Sequence, residues 1–314
     1  MTSSQPTARR SGTHGNGATA SSKVFLNVGV DLLCLSFIAI VLLLTLIFRA
    51  SIPDWTSHCA GYLFAACAYL AAVLVGNRFS HEFVRVSVHT AAVTLLFSYL
   101  FGAVHSLQHI VVPGWMDAQV LAFETTVTGR DATLFFQDHM NSVLTEVMMF
   151  AYVSYIPLLP LISLICFWSA DHRAAQDYLF SLSFAYILCY AGFMLYPVAS
   201  PLYHQKELYV VPFDGGVFTW FGEWMRHNVH FAGGSLPSPH CAASTVMIGM
   251  MWRYNRRLFH ILLPLVLMIY VSTVYGRYHY VSDGVAGIIA GLIVLGTSSQ
   301  LSAWFERRWT ALTA

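Results

Sequence analysis

The first long apolar run decides the fold: residues 23–48 read KVFLNVGVDLLCLSFIAIVLLLTLIF. Its interior contains a single acidic residue, Asp31. A helix needs about 20 mostly apolar residues to cross the hydrocarbon core of a bilayer. The run is longer than the apolar core of a signal peptide, and no small-residue cleavage site follows it. We therefore predict an uncleaved first membrane span.

The composition of the whole chain agrees with this prediction. Of the 314 residues, 57% are hydrophobic and 10% are charged, whereas an average soluble domain has about 25% charged residues. Such a chain lacks the polar surface that a water-soluble globule needs, and it is too apolar for a disordered protein. The formal net charge of +1 excludes a basic domain that binds nucleic acid. A polytopic membrane protein remains.

Seven further apolar runs follow, and together with the first they predict an all-α bundle of about eight transmembrane helices. Their approximate bounds are 57–76, 86–111, 142–168, 178–198, 238–252, 258–275 and 279–300. The polar segment 112–141 is expected to include an interfacial helix. The segment 199–237 is aromatic and rich in His and Gly, and loops of that length are usually functional.

The distribution of basic residues predicts the orientation. If the N-terminus is cytoplasmic, 11 of the 16 Lys and Arg residues lie inside and 5 lie at the outer side, as the positive-inside rule requires. The inner set is Arg9, Arg10, Lys23, Arg78, Arg85, Arg173, Arg253, Arg256, Arg257, Arg307 and Arg308. The outer set is Arg49, Arg130, Lys206, Arg226 and Arg277. Both termini are therefore expected in the cytoplasm.

Six cysteines are spread along the chain without a C-x-x-C pair, and most lie inside apolar runs. This placement is typical of small core residues rather than of a disulfide framework or a metal cage. They are Cys34, Cys59, Cys67, Cys166, Cys189 and Cys241.

The first of two polar stretches, 233–244, reads GGSLPSPHCAAS. It has the features of a helix start, because Ser235 or Ser238 can cap a helix and Pro is favoured in the first turn. Glycines let backbone N–H groups approach a ligand closely, and free N–H groups at a helix N-terminus bind phosphate. We therefore expect Gly234, Ser235 and Ser238 at a phosphate site, with His240 beside it.

The second polar stretch, 275–287, reads YGRYHYVSDGVAG. His279 and Asp283 are four residues apart, so they share a face if the segment is helical. A carboxylate there can accept a proton from one imidazole nitrogen and leave the other as a nucleophile. Arg277 supplies a fixed cation for an oxyanion. Both stretches begin spans at the outer face, so His240 and His279 are expected at the same depth.

These stretches resemble the second and third signature motifs of the type 2 phosphatidic acid phosphatase superfamily. The pattern P-S-x-H is matched by 237–240 (PSPH), and the later H-Y-x-x-D is matched by 279–283 (HYVSD). The resemblance covers roughly 115–300. It implies a six-helix, lipid-phosphatase-like catalytic core with outer-face interfacial segments and a mechanism that needs no metal or other cofactor.

The resemblance is closer to the branch of inositol phosphorylceramide and sphingomyelin synthases and their bacterial relatives. The usual first motif, a Lys with Arg-Pro seven residues later, is missing, and 151–160 (AYVSYIPLLP) stands in its place. The run 196–201 (YPVASP) is similar to that branch's Pro-Pro element, with Ser200 replacing a proline. Thr273 occupies the position of an Arg found in the wider superfamily. These departures argue against an ordinary phosphatidate phosphatase.

By this resemblance, His279 attacks phosphorus and forms a phosphohistidine, while Asp283 orients His279. His240 protonates the leaving oxygen and then activates the acceptor. The implied partners are membrane lipids: a phospholipid donor, and ceramide, diacylglycerol or water as acceptor, so transfer, including sphingolipid synthesis, and hydrolysis both stay open. The expected substrate- or phosphate-binding residues are Gly234, Ser235, Ser238, Arg277, Lys206, Arg226 and Tyr155.

Two other functions stay open. An intramembrane metalloenzyme would combine His240, His279 and Asp283 with His105 and His109, whose spacing can bind zinc, although a packed pair is the plainer interpretation. A non-enzymatic lipid transporter is the other alternative. Transporters usually place polar or broken-helix elements at mid-membrane, whereas the ionisable residues here cluster at one face, which disfavours transport.

Two acidic residues in apolar runs also carry expectations. Glu146, in the outer turn of the fourth span, is expected to meet Arg130 or a helix N-terminus, with contact to an acceptor hydroxyl as the alternative. Asp31, near the inner end of the first span, is expected to be interfacial.

The sequence predicts four regions. They are a disordered cytoplasmic tail at 1–22, N-terminal transmembrane helices at 23–111, a catalytic membrane domain at 112–301 and a cytoplasmic tail at 302–314. The active site is expected to face the periplasm or exterior, in a bacterial inner membrane. In a eukaryotic secretory membrane the same topology would place it in the lumen.

Overall fold

The computed structural model describes residues 28–313. Within this range the regular structure is helical and contains no β-strand, which agrees with the predicted all-α fold. The tail predicted at 1–22 and residues 23–27 lie outside the described residues. The twelve α-helices of the described range are α1 (Val28–Ile47), α2 (Trp55–Gly76), α3 (Glu82–Ala103), α4 (Asp117–Thr128), α5 (Ala132–Gln137), α6 (Ser142–Ser169), α7 (His172–Leu195), α8 (Pro201–His204), α9 (Val217–Asn228), α10 (Pro239–Tyr254), α11 (Arg256–Tyr275) and α12 (Val281–Thr313).

Seven helices in the described range are long and apolar enough to cross a membrane: α1, α2, α3 with the short 3₁₀ turn after it, α6, α7, α11 and α12. The sixth of the eight predicted spans, 238–252, corresponds to α10, which has only 16 residues. Both of its ends are fixed by caps. The Ser238 hydroxyl accepts the Cys241 N–H at its start, and Asn255, directly after it, already caps α11. The chain therefore turns into α11 before α10 can lengthen.

The polar segments also differ in detail from the prediction. The segment 112–141, predicted to include an interfacial helix, contains two short helices, α4 and α5, because Gly129 ends α4 in a left-handed conformation and Asp131 caps α5. The segment 199–237 contains α8 and α9. The last helix, α12, continues through Thr313, so residues 302–313 of the predicted tail extend it.

The helix α10 is the centre of the bundle. It packs against α6, α7, α11 and α12, while α1 packs on α2, α7 and α12, and α3 packs on α2, α6 and α7. Ten of the sixteen residues of α10 are buried, among them Ala242, Val246 and Met250. This arrangement surrounds α10 with α6, α7, α11 and α12, and it brings the start of α10 beside the start of α12.

A buried polar cluster joins the first three helices. Asp31 is fully buried rather than interfacial, because its Oδ1 atom accepts the Tyr69 hydroxyl at 2.6 Å and lies 2.9 Å from His89 Nε2. A carboxylate that is buried in a membrane bundle is costly unless it is paired. These contacts supply the partners, so the cluster ties α1 to α2 and α3.

Glycines on α12 let it lie against α10 at very short range. A Cβ atom at Gly287 would stand 2.4 Å from the carbonyl oxygen of Ser238, and one at Gly291 would stand 2.7 Å from that of Ala242. Small residues allow backbones to approach in this way in membrane bundles. The Ser238 N–H also donates to the Asp283 carbonyl at 2.9 Å, which joins the first turns of the two helices.

We expect Gly287→Ala to destabilise the protein by about 1–3 kcal/mol, because the added methyl group meets backbone that cannot move aside cheaply. Gly296→Ala on the same helix is the matched control, since a Cβ atom there meets nothing within 4 Å. The control should be neutral or stabilising by roughly 0.5–1 kcal/mol. Unfolding in detergent micelles measures both changes. Equal stabilities for the two variants would contradict the close helix contact.

Candidate active site

The start of α12 holds the second polar stretch in place. His279 and Tyr280 precede the helix, and Asp283 lies in its first turn. The Asp283 Oδ2 atom accepts the Tyr280 N–H at 2.9 Å, which is the reciprocal half of a capping box. His279 therefore does not share a helix face with Asp283 as the spacing predicted. The two side chains still approach, with His279 Nδ1 3.6 Å from Asp283 Oδ2.

Ser235 connects the two polar stretches. Its hydroxyl donates to Asp283 Oδ2 at 2.6 Å and lies 3.2 Å from His279 Nδ1. The same Nδ1 atom is 3.0 Å from the Ser235 carbonyl oxygen. A carbonyl oxygen only accepts, so these contacts assign the proton to Nδ1 and leave a lone pair on Nε2 of His279. The expected tautomer is thus selected chiefly by Ser235, with Asp283 behind it.

His240 lies opposite the free nitrogen of His279. It occupies the first turn of α10, directly after Ser238 and Pro239, and its Nδ1 atom is 3.4 Å from His279 Nε2. The side chain of His279 is almost fully buried, whereas His240 is partly accessible. The pair of imidazoles that the sequence predicted at one depth is therefore in direct contact.

Buried carboxylates of α4 position the loops around these histidines. Asp117 accepts the N–H groups of Ala199 and Ser200, at 2.7 and 3.0 Å, and the Tyr280 hydroxyl at 3.1 Å. Glu124 accepts the N–H of Ser282 at the start of α12. Burial raises the pKa of both carboxyl groups. Neither carboxylate could be identified as a site residue from the sequence, since the local pattern of α4 does not show which loops pack against this helix.

Aromatic rings form the wall beside the two histidines. The Tyr152 ring stacks on Tyr278 with centroids 4.3 Å apart and on His240 at 4.9 Å. The Tyr155 ring lies 4.5 Å from His240, and its hydroxyl contacts Tyr186 at 2.6 Å. Tyr155, expected at the substrate site, is thus placed next to His240.

A third histidine, His230, joins this wall. Its Nε2 atom lies 3.2 Å from the Tyr152 hydroxyl, and its ring stacks on Tyr278 at 4.7 Å. Burial, together with the nearby His279 and Arg226, lowers the pKa of His230 to about 4. His230 was not predicted from the sequence, because it lies in a loop that has no helical periodicity. The only signal for it was the abundance of His in 199–237.

The residues predicted to bind phosphate form two groups: those of the 233–238 loop and the three basic residues. The Gly234 N–H already donates to Gln108 Oε1 at 3.2 Å, and Ser238 caps α10, so these two atoms hold the loop. A Cβ atom at Gly233 would stand 2.0 Å from Gln108 Oε1, which explains the glycine there. That any of these groups binds substrate stays a prediction.

The three basic residues of the predicted site meet elsewhere. Lys206, Arg226 and Arg277 line a cavity of about 660 Å³, which is otherwise walled by 202–203, 209–212 and His227. The side chain of Arg277 donates to the Val211 carbonyl at 2.7 Å and to Gln137 Oε1 at 3.2 Å. The Arg277 side chain therefore contacts Gln137 and Val211, and not the imidazole of His279.

The residues of the rival metal hypothesis have separate partners. His105 Nδ1 lies 2.7 Å from Gln108 Nε2, whereas the His109 ring packs against Trp115. Among residues 28–313, no group of three or more His, Cys, Asp or Glu side chains is placed to hold a metal ion. The packed-pair interpretation of His105 and His109 agrees with these contacts.

Glu146 meets a helix N-terminus, as one of its expected alternatives stated. Its carboxylate accepts the N–H groups of Gly216, Phe218 and Thr219 at the start of α9, at 2.7 to 3.0 Å. It therefore fixes α9, which carries Arg226, to the N-terminal part of α6.

His230 should remain neutral at pH 5.5, where a histidine with the reference pKa of about 6.5 is mostly protonated. Histidine-labelled protein in detergent micelles, compared with the His230→Gln variant, identifies its ring signals by nitrogen NMR. The signals should keep the pattern of a neutral imidazole down to about pH 5, since the folded pKa is about 4. An imidazolium pattern at pH 5.5 would contradict the buried placement.

Comparison with known families adds an independent finding. A family model described as the PAP2 superfamily matches residues 118–297. No curated protein and no solved structure matches the chain. The matched range extends from α4 into α12 and includes His240, His279 and Asp283. The closer relation to the synthase branch stays a prediction.

The family match and the seven apolar helices point to the same kind of protein. Members of this superfamily are phosphatases and phosphotransferases, and the helices are those of an integral membrane protein. Since the matched range covers more than half of the chain, the protein belongs to the PAP2 superfamily, as a membrane protein of the lipid phosphatase type.

Proposed function

We propose that this protein cleaves a phospholipid or lipid phosphate at phosphorus, through a phosphohistidine on His279, and passes the phosphorus group to a hydroxyl acceptor. One observation carries the proposal. The Nδ1 atom of His279 is held by Ser235, and the free Nε2 atom faces His240 Nδ1 at 3.4 Å. A nucleophile whose opposite nitrogen is fixed and a neighbouring proton carrier are the two groups that such a transfer requires.

The first half of the proposed reaction forms the intermediate. The Nε2 lone pair of His279 attacks phosphorus, and the bond between phosphorus and the leaving oxygen breaks. His240, as the imidazolium, delivers its Nδ1 proton to that oxygen. The substrate must enter between the two rings, because the leaving oxygen has to reach His240 while phosphorus reaches His279. Asp283, bonded to Ser235, stabilises the positive charge that develops on His279.

The second half regenerates the enzyme. Neutral His240 accepts the proton of the acceptor hydroxyl, the acceptor oxygen attacks phosphorus, and the bond to Nε2 breaks. Water as the acceptor gives a phosphatase, whereas diacylglycerol or ceramide gives a phosphotransferase. The resemblance to the synthase branch supports transfer to a lipid hydroxyl. No step in this scheme uses a metal or other cofactor.

The site is proposed to lie at the non-cytoplasmic leaflet with both termini in the cytoplasm. The excess of Lys and Arg on the other side of the predicted spans supports this orientation. The aromatic wall of Tyr152, Tyr155 and Tyr278 beside His240 suits a reaction at the membrane boundary, where a lipid headgroup meets apolar side chains.

We expect His279→Ala to abolish both turnover and the trapped intermediate. Purified protein is mixed with phospholipid labelled at phosphorus, quenched at alkaline pH and tested for protein-bound label. His260→Ala is the matched control, because His260 is exposed near the start of α11, the end remote from His279. Label that persists in His279→Ala would overturn the proposed nucleophile.

The same reaction mixtures identify the acceptor. Diacylglycerol, ceramide or neither is added, and both free phosphate compounds and new lipids are followed. Product that forms without added lipid acceptor makes the protein a hydrolase. A new phospholipid that forms only with added acceptor makes it a transferase. If neither appears under any condition, the proposed reaction is wrong.

Ser235→Ala and Asp283→Asn should each lower kcat by about 10–100-fold, since each removes a hydrogen bond that supports a developing charge. His240→Ala should cost more, about 10²–10⁴-fold, because it removes the proton carrier itself. A substrate with a good leaving group should rescue the labelled intermediate in His240→Ala alone. Equal rescue of Asp283→Asn would contradict this division of roles.

A further inference from the structure

The cavity lined by Lys206, Arg226 and Arg277 has three basic residues and no acidic residue in its lining. We name it the cationic cavity; its lining comes from 202–212, 226–227 and Arg277. Arg226 pairs with Glu223, and Lys206 is exposed at the rim. Arg277, in contrast, is 3% exposed and takes part in none of the ion pairs of residues 28–313. A buried guanidinium without a carboxylate is therefore the central feature of this cavity.

The partners of Arg277 are all neutral. Its Nη2 atom contacts the Val211 carbonyl, Gln137 Oε1 and the Met140 sulfur atom, and its guanidinium lies over the rings of Tyr209 and Phe213, at 4.3 and 4.6 Å from their centroids. A buried charge is costly without a paired opposite charge. These contacts orient the guanidinium but do not pair it with a carboxylate; Glu223, which lies within electrostatic reach, is paired with Arg226.

Three buried hydrogen-bond donors around the cavity have no acceptor in the described chain. They are Nε of Arg277, Nε of Arg226 and the hydroxyl of Tyr278; one buried acceptor of the same region, Oε1 of Glu223, also lacks a partner. The Tyr278 side chain is 2% exposed, and its hydroxyl lies within electrostatic reach of Arg226 and Tyr203, which both line the cavity. A set of unused donors around a positive charge fits a ligand that only accepts hydrogen bonds.

The cationic cavity is a neighbour of the proposed reaction site and distinct from it. Tyr278 is the residue before His279, and its ring stacks on Tyr152 and His230 of the aromatic wall. The cavity lining, however, includes neither His240 nor His279. Tyr278 thus links the two places, because it adjoins His279 in the chain and its hydroxyl lies within electrostatic reach of the cavity residues Arg226 and Tyr203.

We propose that the cationic cavity binds a second oxyanion of the substrate headgroup, a phosphate or carboxylate beyond the phosphorus that His279 attacks. This inference rests on the proposed function for the reacting phosphorus but concerns a different group of the same lipid. It makes Arg277, Arg226 and Lys206 specificity residues rather than ligands of the transferred phosphorus. The preferred headgroup then carries two anionic centres.

Binding to an inactive variant tests the proposal apart from catalysis. The full-length His279→Ala variant in detergent micelles is titrated by calorimetry with short-chain phosphatidylinositol and with phosphatidylinositol 4-phosphate, which differ by one phosphate. We expect about 10–100-fold tighter binding of the second lipid, the range for hydrogen bonds to a charged group. Adding Arg277→Gln or Lys206→Gln should remove most of this preference.

Two controls keep the result interpretable. Arg130→Gln in the same background removes an exposed cation outside the cavity lining and should leave the preference unchanged. Lys206 is exposed, so its substitution tests the cavity even if Arg277→Gln does not fold. In active protein, release of diacylglycerol should show the same preference in kcat/KM.

The competing outcomes are distinct. Equal affinity for the two lipids would overturn the proposal even if the phosphohistidine is found. Inorganic phosphate is titrated alone as the second arm. If it binds as tightly as the 4-phosphate lipid, and Arg277→Gln abolishes that binding, the cavity takes free phosphate and the assignment to the headgroup is wrong. A missing phosphohistidine with intact lipid preference would refute the reaction and retain the cavity.

Discussion

The close contact between the first turns of α10 and α12 is the constraint on which the rest of the site depends. Gly287 leaves no room for a side chain beneath the Ser238 carbonyl, and the Ser238 N–H donates to the Asp283 carbonyl. These backbone contacts set the separation of two segments that are far apart in sequence. Because His240 and His279 lie at these two helix starts, their imidazoles meet at 3.4 Å.

A second consequence of that contact is a pair of hydrogen bonds that share one oxygen of Asp283. One carboxylate oxygen serves the Tyr280 N–H and the Ser235 hydroxyl, so the same atom caps α12 and supports the tautomer of His279. Structure and proposed chemistry thus share one oxygen. In a membrane protein this sharing is favourable, because each of the two buried donors would otherwise raise the free energy of the folded state. The other oxygen, Oδ1, has no hydrogen-bond partner among the described residues.

The distribution of charge separates two tasks. Around the imidazole pair, the contacts are to Ser235, Asp283 and tyrosine rings, while Lys206, Arg226 and Arg277 gather at the cationic cavity. His230 contacts the aromatic wall, and burial, with smaller effects of His279 and Arg226, keeps its pKa low. A neutral histidine there adds no repulsion toward the proposed imidazolium of His240. The proposed enzyme can therefore bind the reacting phosphorus and the headgroup charge with two separate sets of residues.

The sequence by itself determined the helical membrane class and the approximate position of seven of the eight predicted spans, since apolar length is a local property. Its short motifs also named His240, His279 and Asp283 as candidates, which the structure brings together. It also predicted that Glu146 meets a helix N-terminus, as one of several alternatives. It did not determine the burial of Asp31, the role of Ser235 in selecting the tautomer, the carboxylates of Asp117 and Glu124, or His230. It also gave no sign that Arg277 lies apart from the imidazole of His279. Those features depend on which segments meet in space. Only the packing of α10 against α12 and of the connecting loops against α4 decides that, because hydrogen bonds and charges act between neighbours in three dimensions.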